Sequence, residues 1–442
     1  MISVGLVTLG CPKNQVDSEI MLGLLDQAKF NIVDNLEEAD VVIVNTCGFI
    51  ESAKQESIDT ILELSQLKDS GRLKYLVVTG CLAQRYYDEL KKEIPEIDTI
   101  LGTGNFDRIV EVIEEGLKGQ DLGGIIRPKF EYRKDLPRII TTPGYTAYVK
   151  IAEGCNNRCS YCIIPTLRGP LKSRSIEDIL EEVKELVSRG VKEIILVAQD
   201  TTVYGIERYG QPMLAALLRK LVEIDGIHWI RIMYSYPDYL TDEVIEIIAQ
   251  EEKICKYLDL PIQHASDRIL KLMNRPTRQK EVEALIKKIR ERIPDVVLRT
   301  SLIVGFPGET EEDFQQLVDF VRRIRFDRLG VFTYSREENT PADRMKGHLP
   351  EEIKKERWNK IMAIQREIAL EKNEVMIDKE VEVLVEEVYS EEEGIVIGRT
   401  QWDAPEIDNL VYVYNCHAQV GDFIMAKIVD ALEYDLVGEE IK

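Results

Sequence analysis

A-D-V-V-I-V-N-T-C, Ala39 to Cys47, decides the fold class of the first third of the chain. An unbroken apolar run of this kind has no solvent face, as a strand of a parallel sheet covered on both sides requires. The same unit recurs on either side. Val4–Gly10 runs into Cys11, and Lys74–Gly80 runs into Cys81. Helix-like stretches follow at about Asp17–Gln27, Glu51–Leu67 and Gln84–Lys92, and Ile97–Leu101 adds a further strand. Alternating strands and helices define an α/β domain with a parallel sheet. Ligands of such sheets sit beyond the carboxyl ends of the strands. Cys11, Cys47 and Cys81 occupy that position, one per strand, at intervals of 36 and 34 residues. Three thiols on one rim suggest a metal site, although a single cysteine at a strand end is usually just a small hydrophobe.

Beyond this unit, residues 121–143 carry Gly, Pro and mixed charge without periodicity and read as a linker after a domain of residues 1–120. A second α/β region covers 144–374. Its strand candidates are Tyr145–Ala152, Glu193–Ala198, Trp229–Tyr234, Tyr257–Leu260, Val296–Val304 and Arg328–Thr333, separated by helical segments. Ser175 and Asp178 have the spacing of a helix-capping pair. Six strand–helix units are too few for a closed eight-stranded barrel and fit a partial, TIM-like (β/α)6 barrel with its site at the strand carboxyl ends. Glu351–Glu374 is a charged helix. From 375 to 442 the pattern changes to four short strand candidates, Val381–Val388, Gly394–Thr400, Leu410–Tyr414 and Phe423–Ala431, as in a small β-barrel.

The chain has 442 residues, of which 44% are hydrophobic and 31% charged, so it has ample material for packed cores. Lys and Arg total 57 against 79 Asp and Glu, a formal net charge of -22, which argues against non-specific wrapping of nucleic acid or an anionic membrane. Residues 380–442 hold 16 acidic side chains and three basic ones. Met1–Leu9 lacks the basic flank of a signal peptide, and no run approaches the length of a membrane span, so a cytoplasmic location is expected. Eight cysteines are too dilute for a disulfide framework, and clustered ones point to metal or catalysis.

The densest cluster is G-C-N-N-R-C-S-Y-C, Gly154 to Cys162. Cys155, Cys159 and Cys162 can hold three corners of a soft-metal cluster and leave a fourth iron open to substrate. A structural zinc site would want a fourth protein ligand, and none lies nearby. Cys255 reads as core packing, and Cys416 stands beside His417 in the small β-domain. Gly305–Glu309, G-F-P-G-E, follows a strand and lets backbone approach a ligand, although Pro-Gly is also an ordinary turn former. Gln199 and Asp200 end another strand, Arg299 and Ser301 share one strand face, and Tyr234–Tyr236 and Tyr334–Ser335 lie at strand ends. His264 either lines a cavity or is a satisfied structural histidine. Trp358 reads as packing, and Trp402 either reads a partner or fills the small core.

The cysteine triplet, with Tyr161 before its last member, resembles the radical S-adenosylmethionine superfamily. That resemblance implies a [4Fe–4S] cluster on Cys155, Cys159 and Cys162 whose open iron chelates S-adenosyl-L-methionine. It also implies a 5′-deoxyadenosyl radical formed by reductive cleavage. Tyr161, Gln199, Asp200, Arg299, Ser301, Ile303 and Gly305 would then border the cofactor.

The whole layout resembles the methylthiotransferases, which join an N-terminal domain, a radical domain and a C-terminal TRAM domain. On that likeness Cys11, Cys47 and Cys81 would hold a second [4Fe–4S] cluster that presents the inserted sulfur. S-adenosyl-L-methionine would serve as co-substrate and methyl donor. L-G-C-P-K-N-Q-V-D-S-E (Leu9–Glu19), N-T-C-G-F-I (Asn45–Ile50), C-I-I-P-T-L-R-G (Cys162–Gly169) and P-I-Q-H-A-S (Pro261–Ser266) resemble the branch that modifies ribosomal protein S12. The resemblance implies a 3-methylthioaspartate product on S12, free or in the small subunit, and an electron donor such as flavodoxin or ferredoxin. An acidic TRAM domain suits a basic protein better than RNA phosphates. Contact with rRNA through Arg168, Lys172 and Arg174 is a further expectation. The alternatives are methylthiolation of N6-modified adenosine in tRNA and a non-enzymatic iron–sulfur scaffold on the ribosome.

Overall fold

A computed structural model describes residues 1–69, 71–126 and 136–441. Five parallel strands form the first sheet: β1 (Ser3–Thr8), β2 (Asn31–Ile32), β3 (Val41–Thr46), β4 (Tyr75–Gly80) and β5 (Thr99–Ile100), in the order β2-β1-β3-β4-β5. The apolar runs of β3 and β4 are buried along their whole length. Register sets the rim. Thr8 pairs with Asn45, and Thr46 pairs with Gly80, so the three chains leave the sheet at one level. Helix α1 (Pro12–Gln27) starts immediately after Cys11, five residues earlier than the apolar pattern suggests. Pro12 at its first position needs no N–H partner and has a preset φ. The other helices of this domain are α2 (Glu51–Ser65), α3 (Cys81–Arg85), α4 (Tyr87–Glu93) and α5 (Ile109–Gly116).

The partial barrel contains β6 (Thr146–Lys150), β9 (Glu193–Val197), β10 (Trp229–Ile232), β11 (Tyr257–Asp259), β12 (Val297–Val304) and β13 (Arg328–Thr333), with a short antiparallel ribbon of β7 (Ala152–Glu153) and β8 (Lys172–Ser173). All six expected strands form. They group as two parallel sheets, β6-β9-β10 and β11-β12-β13, joined along β10 and β11 by sparse bonds such as Ser235 N to Asp259 O at 2.9 Å. Ser175 caps the helix Ile176–Ser188 by accepting the Asp178 N–H at 3.2 Å.

The C-terminal barrel is closed, with β14 (Glu380–Ser390), β15 (Ile395–Arg399), β16 (Val411–Tyr414), β17 (Phe423–Ala431) and β18 (Leu436–Glu440) in the order β14-β15-β16-β18-β17. The fifth strand escapes sequence reading because it is short and ends in two acids. It nevertheless closes the barrel by pairing parallel to β16. Trp402 is half-buried against this core, which also contains Cys416.

One apolar cluster unites the three parts. It includes Val16, Ile20 and Met21 of α1, Tyr148, Ile195 and Val197 of the partial barrel, and Leu384 and Ala404 of the closed barrel. The closed barrel covers the amino-terminal ends of the parallel strands. There Glu193, at the start of β9, is fully buried between Arg231 and Arg399. Asp403 meets Arg328, and Asp408 accepts the Tyr257 hydroxyl at 2.7 Å. Part of the expected linker, residues 127–135, lies outside the described residues. Its end is pinned between α1 and the helix Ile176–Ser188: Arg138 pairs with Glu19 of the first and Glu182 of the second, and Thr141 donates to Glu19. Among the described residues no helix is long and apolar enough to cross a membrane.

Candidate active site

The loop Cys155–Cys162 leaves the β7 end of the partial barrel and is held from three directions. Gly154 has φ +74°, and a Cβ there would stand 2.3 Å from the Pro170 carbonyl oxygen, so only glycine lets the chain pass. Cys155 N then donates to Gly169 O at 3.1 Å. Asn157 donates to Asp200 at 2.9 Å, and Ser160 N donates to Met273 O at 2.9 Å. Asp200 is thus a support of the cysteine loop. It also accepts the Thr202 hydroxyl at 2.6 Å.

Burial pushes the Cys155 thiol up to about 11 and the Cys162 thiol up to about 12, with neighbouring thiols adding to the effect. Such thiols bind iron by releasing their protons. Their donor set suits an iron–sulfur cluster: three half-exposed sulfurs in one loop. Gln199 donates to Glu153 at 2.6 Å, and its buried carboxamide oxygen has no hydrogen-bond partner among the described residues. An unpartnered acceptor at a strand carboxyl end fits an ammonium group such as that of a methionine moiety. Tyr161 and Ile303 border the same apolar group beside Phe306 and Tyr334.

The structure redirects other expectations. The open face of Gly305 is filled by Lys354, whose Cγ would lie 2.4 Å from an added Cβ. Gly305 and Phe306 both donate backbone N–H groups to Glu309, which anchors the turn from below. Arg299 pairs with Asp259 at 3.0 Å and with Asp408 at 3.4 Å, nearer the entrance of β12 than its carboxyl end. Ser301 lies beside it at 3.4 Å. His264 is buried; its Nδ1 accepts the Ser266 N–H at 2.9 Å, while its Nε2 has no hydrogen-bond partner among the described residues and lies 3.7 Å from Glu309. Arg168 and Arg174 are buried among carboxylates and so are withdrawn from any nucleic-acid surface.

The second triad assembles from the sheet rim. Gly10 has φ +93°, and a Cβ there would meet Cys47 Cβ at 2.7 Å and Sγ at 3.0 Å, so the glycine before Cys11 brings two cysteine loops together. Cys47 is raised to about 11 by burial first, with Cys81 and Cys11 contributing. Cys81 is raised by burial too, against the pull of Arg168. Cys11 is the exception. Burial opposes its ionisation, but Lys13 and Arg168 together outweigh it and lower the thiol. Among the described residues no three His, Cys, Asp or Glu side chains form a group able to hold a single metal ion. A cavity of about 390 Å³ opens beside Cys11, lined by Gly10, Pro12, Gln15, Thr141 and Glu406 among others.

Sequence reading missed what joins the two triads. Arg168, six residues after Cys162, reaches back to α1. It pairs with Asp17 at 2.7 Å and Glu153 at 3.0 Å, and hydrogen-bonds Asn14. Lys150 pairs with the same two carboxylates. Burial pushes Glu153 up, but the two cations hold it well below the usual carboxylate range. Cys81 packs against Ile163 and Leu167, so the second triad touches the residue after Cys162. At the carboxyl end of β10, Tyr234 meets Lys13. Two residues on, Tyr236 lies beside Cys159 and stacks on Arg275 at 4.1 Å. The available signal was the presence of Lys150 and Arg231 inside otherwise apolar strands.

Comparisons with known proteins agree with this geometry. The radical SAM superfamily model matches residues 149–321, the TRAM domain model matches 377–441, and the model of uncharacterized protein family UPF0004 matches 3–102. In fold, the chain is similar to the radical S-adenosylmethionine methyltransferase TsrM from Kitasatospora setae. The TM-score is 0.59 at 16% identity, covering 77% of this chain and 75% of that one. It is also similar to the cobalamin-dependent S-adenosylmethionine radical enzyme OxsB, with TM-score 0.54 at 13% identity, covering 83% and 56%. The class defined by fold and site is therefore a three-part radical S-adenosylmethionine protein. Among full-length relatives, ribosomal protein uS12 methylthiotransferase RimO of Clostridioides difficile (strain 630) is 54% identical, with 99% of each chain covered. Its counterpart in Geobacter sulfurreducens is 52% identical, with 99% and 98% covered. The chain belongs to the ribosomal protein uS12 methylthiotransferase RimO family.

Proposed function

We propose that this protein is a radical S-adenosylmethionine enzyme that methylthiolates ribosomal protein uS12, at the β-carbon of an aspartate. The observation that carries the reading is the contact between the two cysteine sets: Cys81 packs on Ile163, and Arg168 ties the segment after Cys162 to α1. In this reading Cys155, Cys159 and Cys162 hold one [4Fe–4S] cluster, and Cys11, Cys47 and Cys81 hold a second. A cubane spreads its thiolates around a multi-atom core, so the ligands need not converge as they would on one ion. When bound, these groups and S-adenosyl-L-methionine supply the radical, the sulfur and the methyl group. The chain's own residues position and enclose. Gln199 offers its free oxygen to the cofactor's ammonium, and Tyr161 and Ile303 border its apolar side. Residues 1–120, 144–374 and 375–442 act as separate domains on this reading, built on the five-stranded sheet, the two sheets and ribbon of the partial barrel, and the closed barrel in turn. Because reductive cleavage consumes an electron, a donor such as flavodoxin or ferredoxin is required. Of the three basic residues expected near rRNA, Lys172 alone is not fully buried.

The test is mass spectrometry of uS12 and of hydrolysed tRNA from cells with and without the gene. A methylthio mass increment on a uS12 aspartate that vanishes with the gene supports the reading. Loss of methylthioadenosine from tRNA, with uS12 unchanged, overturns it in favour of a tRNA substrate. No change in either sample would favour a scaffold.

A further inference from the structure

Strand β13 is one end of the partial barrel. It pairs with β12 on one side, and among the described residues no strand pairs with its other side. Two bonds fix which backbone groups face which way. Tyr334 N donates to Val304 O at 2.9 Å, so the even-numbered residues from Gly330 to Tyr334 turn toward β12. Val331 O points the other way and accepts the Trp358 indole N–H at 2.8 Å. Leu329, Val331 and Thr333 therefore present their N–H groups along the open edge, where no hydrogen bond to them is made among the described residues. An open edge is a template for a further strand, and proteins usually cover it or blunt it with charge or proline. Here Trp358 caps one carbonyl, and after Arg328 the strand carries neither a charge nor a proline.

The edge runs into the candidate active site. Phe332 is in register with Ile303, on the strand face that also carries Arg299 and Ser301 of β12. It is 50% exposed, and its ring leans over Gly330, where an added Cβ would meet it at 3.6 Å. Thr333 beside it is exposed as well. Tyr334 then joins the apolar group that contains Tyr161 and Ile303. At the other end of the strand, Arg328 pairs with Asp403 of the closed barrel. Three residues along that loop, Glu406 is exposed and has no cation partner among the described residues.

We propose that the open edge of β13 receives an extended segment of uS12 as an added strand, with Phe332 packed against one of its side chains. This rests on the uS12 reading above and names the surface that holds the protein. A polypeptide backbone can complete the ladder and a nucleic acid strand cannot, so the edge selects a protein over an RNA. Alternate side chains of an added strand point to the face of Phe332, toward the side of the barrel that Ile303 lines. Glu406, near the start of the same strand, suits a basic residue of the segment.

The test is hydrogen–deuterium exchange of reconstituted holoenzyme, alone, with uS12 and with tRNA. The amides of Leu329, Val331 and Thr333 should exchange fast in the free enzyme and slow by about tenfold or more with uS12 bound. Kinetics supply a second readout. Thr333→Pro deletes an edge N–H that makes no bond in the free protein, a position that proline tolerates. It should raise KM for uS12 by about tenfold, more than it lowers kcat, and Thr333→Ala, which keeps the N–H, should recover most of the difference. Phe332→Ala should raise KM by a similar factor, and Phe332→Leu by less. Unprotected β13 amides in a complex that still yields methylthiolated uS12, or equal KM in wild type and Thr333→Pro, would overturn the edge proposal alone. If wild type leaves uS12 unmodified and tRNA slows these amides instead, the uS12 reading itself fails.

Discussion

The two cysteine triads reach similar donor sets by opposite routes. Cys155, Cys159 and Cys162 come from one loop of eight residues, shaped by Gly154 at its start and braced by the bond from Asn157 to Asp200. Cys11, Cys47 and Cys81 come from three strand ends and meet only because β1, β3 and β4 run in register to one rim. The local triad has Asp200 beside Cys155 and Arg275 beside Cys159, and burial pushes the Cys155 and Cys162 thiols up. The assembled triad faces Arg168 and Lys13, which bring Cys11 down. A soft-metal site can thus be written in a short motif or in the topology of a sheet. The first kind keeps its ligands together in one loop that distant residues brace, whereas the second has no ligand set at all until the sheet is in register.

The largest effect expected from breaking this pairing is complete loss of one function with retention of the other. Replacing Cys155, Cys159 and Cys162 by Ala should abolish 5′-deoxyadenosine formation and leave about four irons per chain. Replacing Cys11, Cys47 and Cys81 should leave cleavage intact and stop formation of methylthiolated uS12. Chromatography of the nucleoside and iron analysis decide the matter. Full product from either triple variant would sink the two-centre reading.

Arg168→Ala should come next, because it leaves Asp17 and Glu153 short of a buried cation. A loss of about 3–5 kcal/mol in denaturant unfolding of the metal-free protein is expected, with partial recovery in Arg168→Lys. A change below about 1 kcal/mol would mean that the bridge between the triads is not structural.

Glu193 provides a control remote from both triads. Burial pushes its carboxyl up, but Arg399 and Arg231 outweigh that and hold it at about 2. A carboxylate depressed in the folded state stabilises above its unfolded pKa, and that stability is lost as the pH falls through the folded value. Glu193→Gln should therefore cost about 3 kcal/mol at neutral pH. The deficit should shrink between about pH 4 and pH 2. A deficit independent of pH would show that packing of the closed barrel, not the charge, is what was measured.

The smallest effect is expected at Asn157→Ala, which removes one bond to Asp200. About 1 kcal/mol is at stake. The readout is a faster loss of iron from the local triad under a chelator, with the assembled triad unchanged. Equal loss from both would blur the distinction between them.

Much of this was legible in the amino-acid order. Four of the five strands of the first sheet, all but the two-residue β2, the six strands of the partial barrel and the limits of the helix Glu351–Glu374 follow from apolar runs and periodicity, which burial enforces locally. The spacing of Cys155, Cys159 and Cys162 shows their proximity directly, since a loop that short cannot separate them. What the order could not show was partnership at long range. Arg168 looks like a surface base after a cysteine motif, yet it is buried against Asp17, 151 residues earlier. Gly305 looks like a ligand-side glycine, and what its sequence does not show is that Lys354 packs on the side where a Cβ would stand. Leu436–Glu440 looks too polar for a strand, yet it closes a barrel. Periodicity records which face of an element avoids water. It does not record which distant charge meets another once water is gone, and only the packed chain settles that.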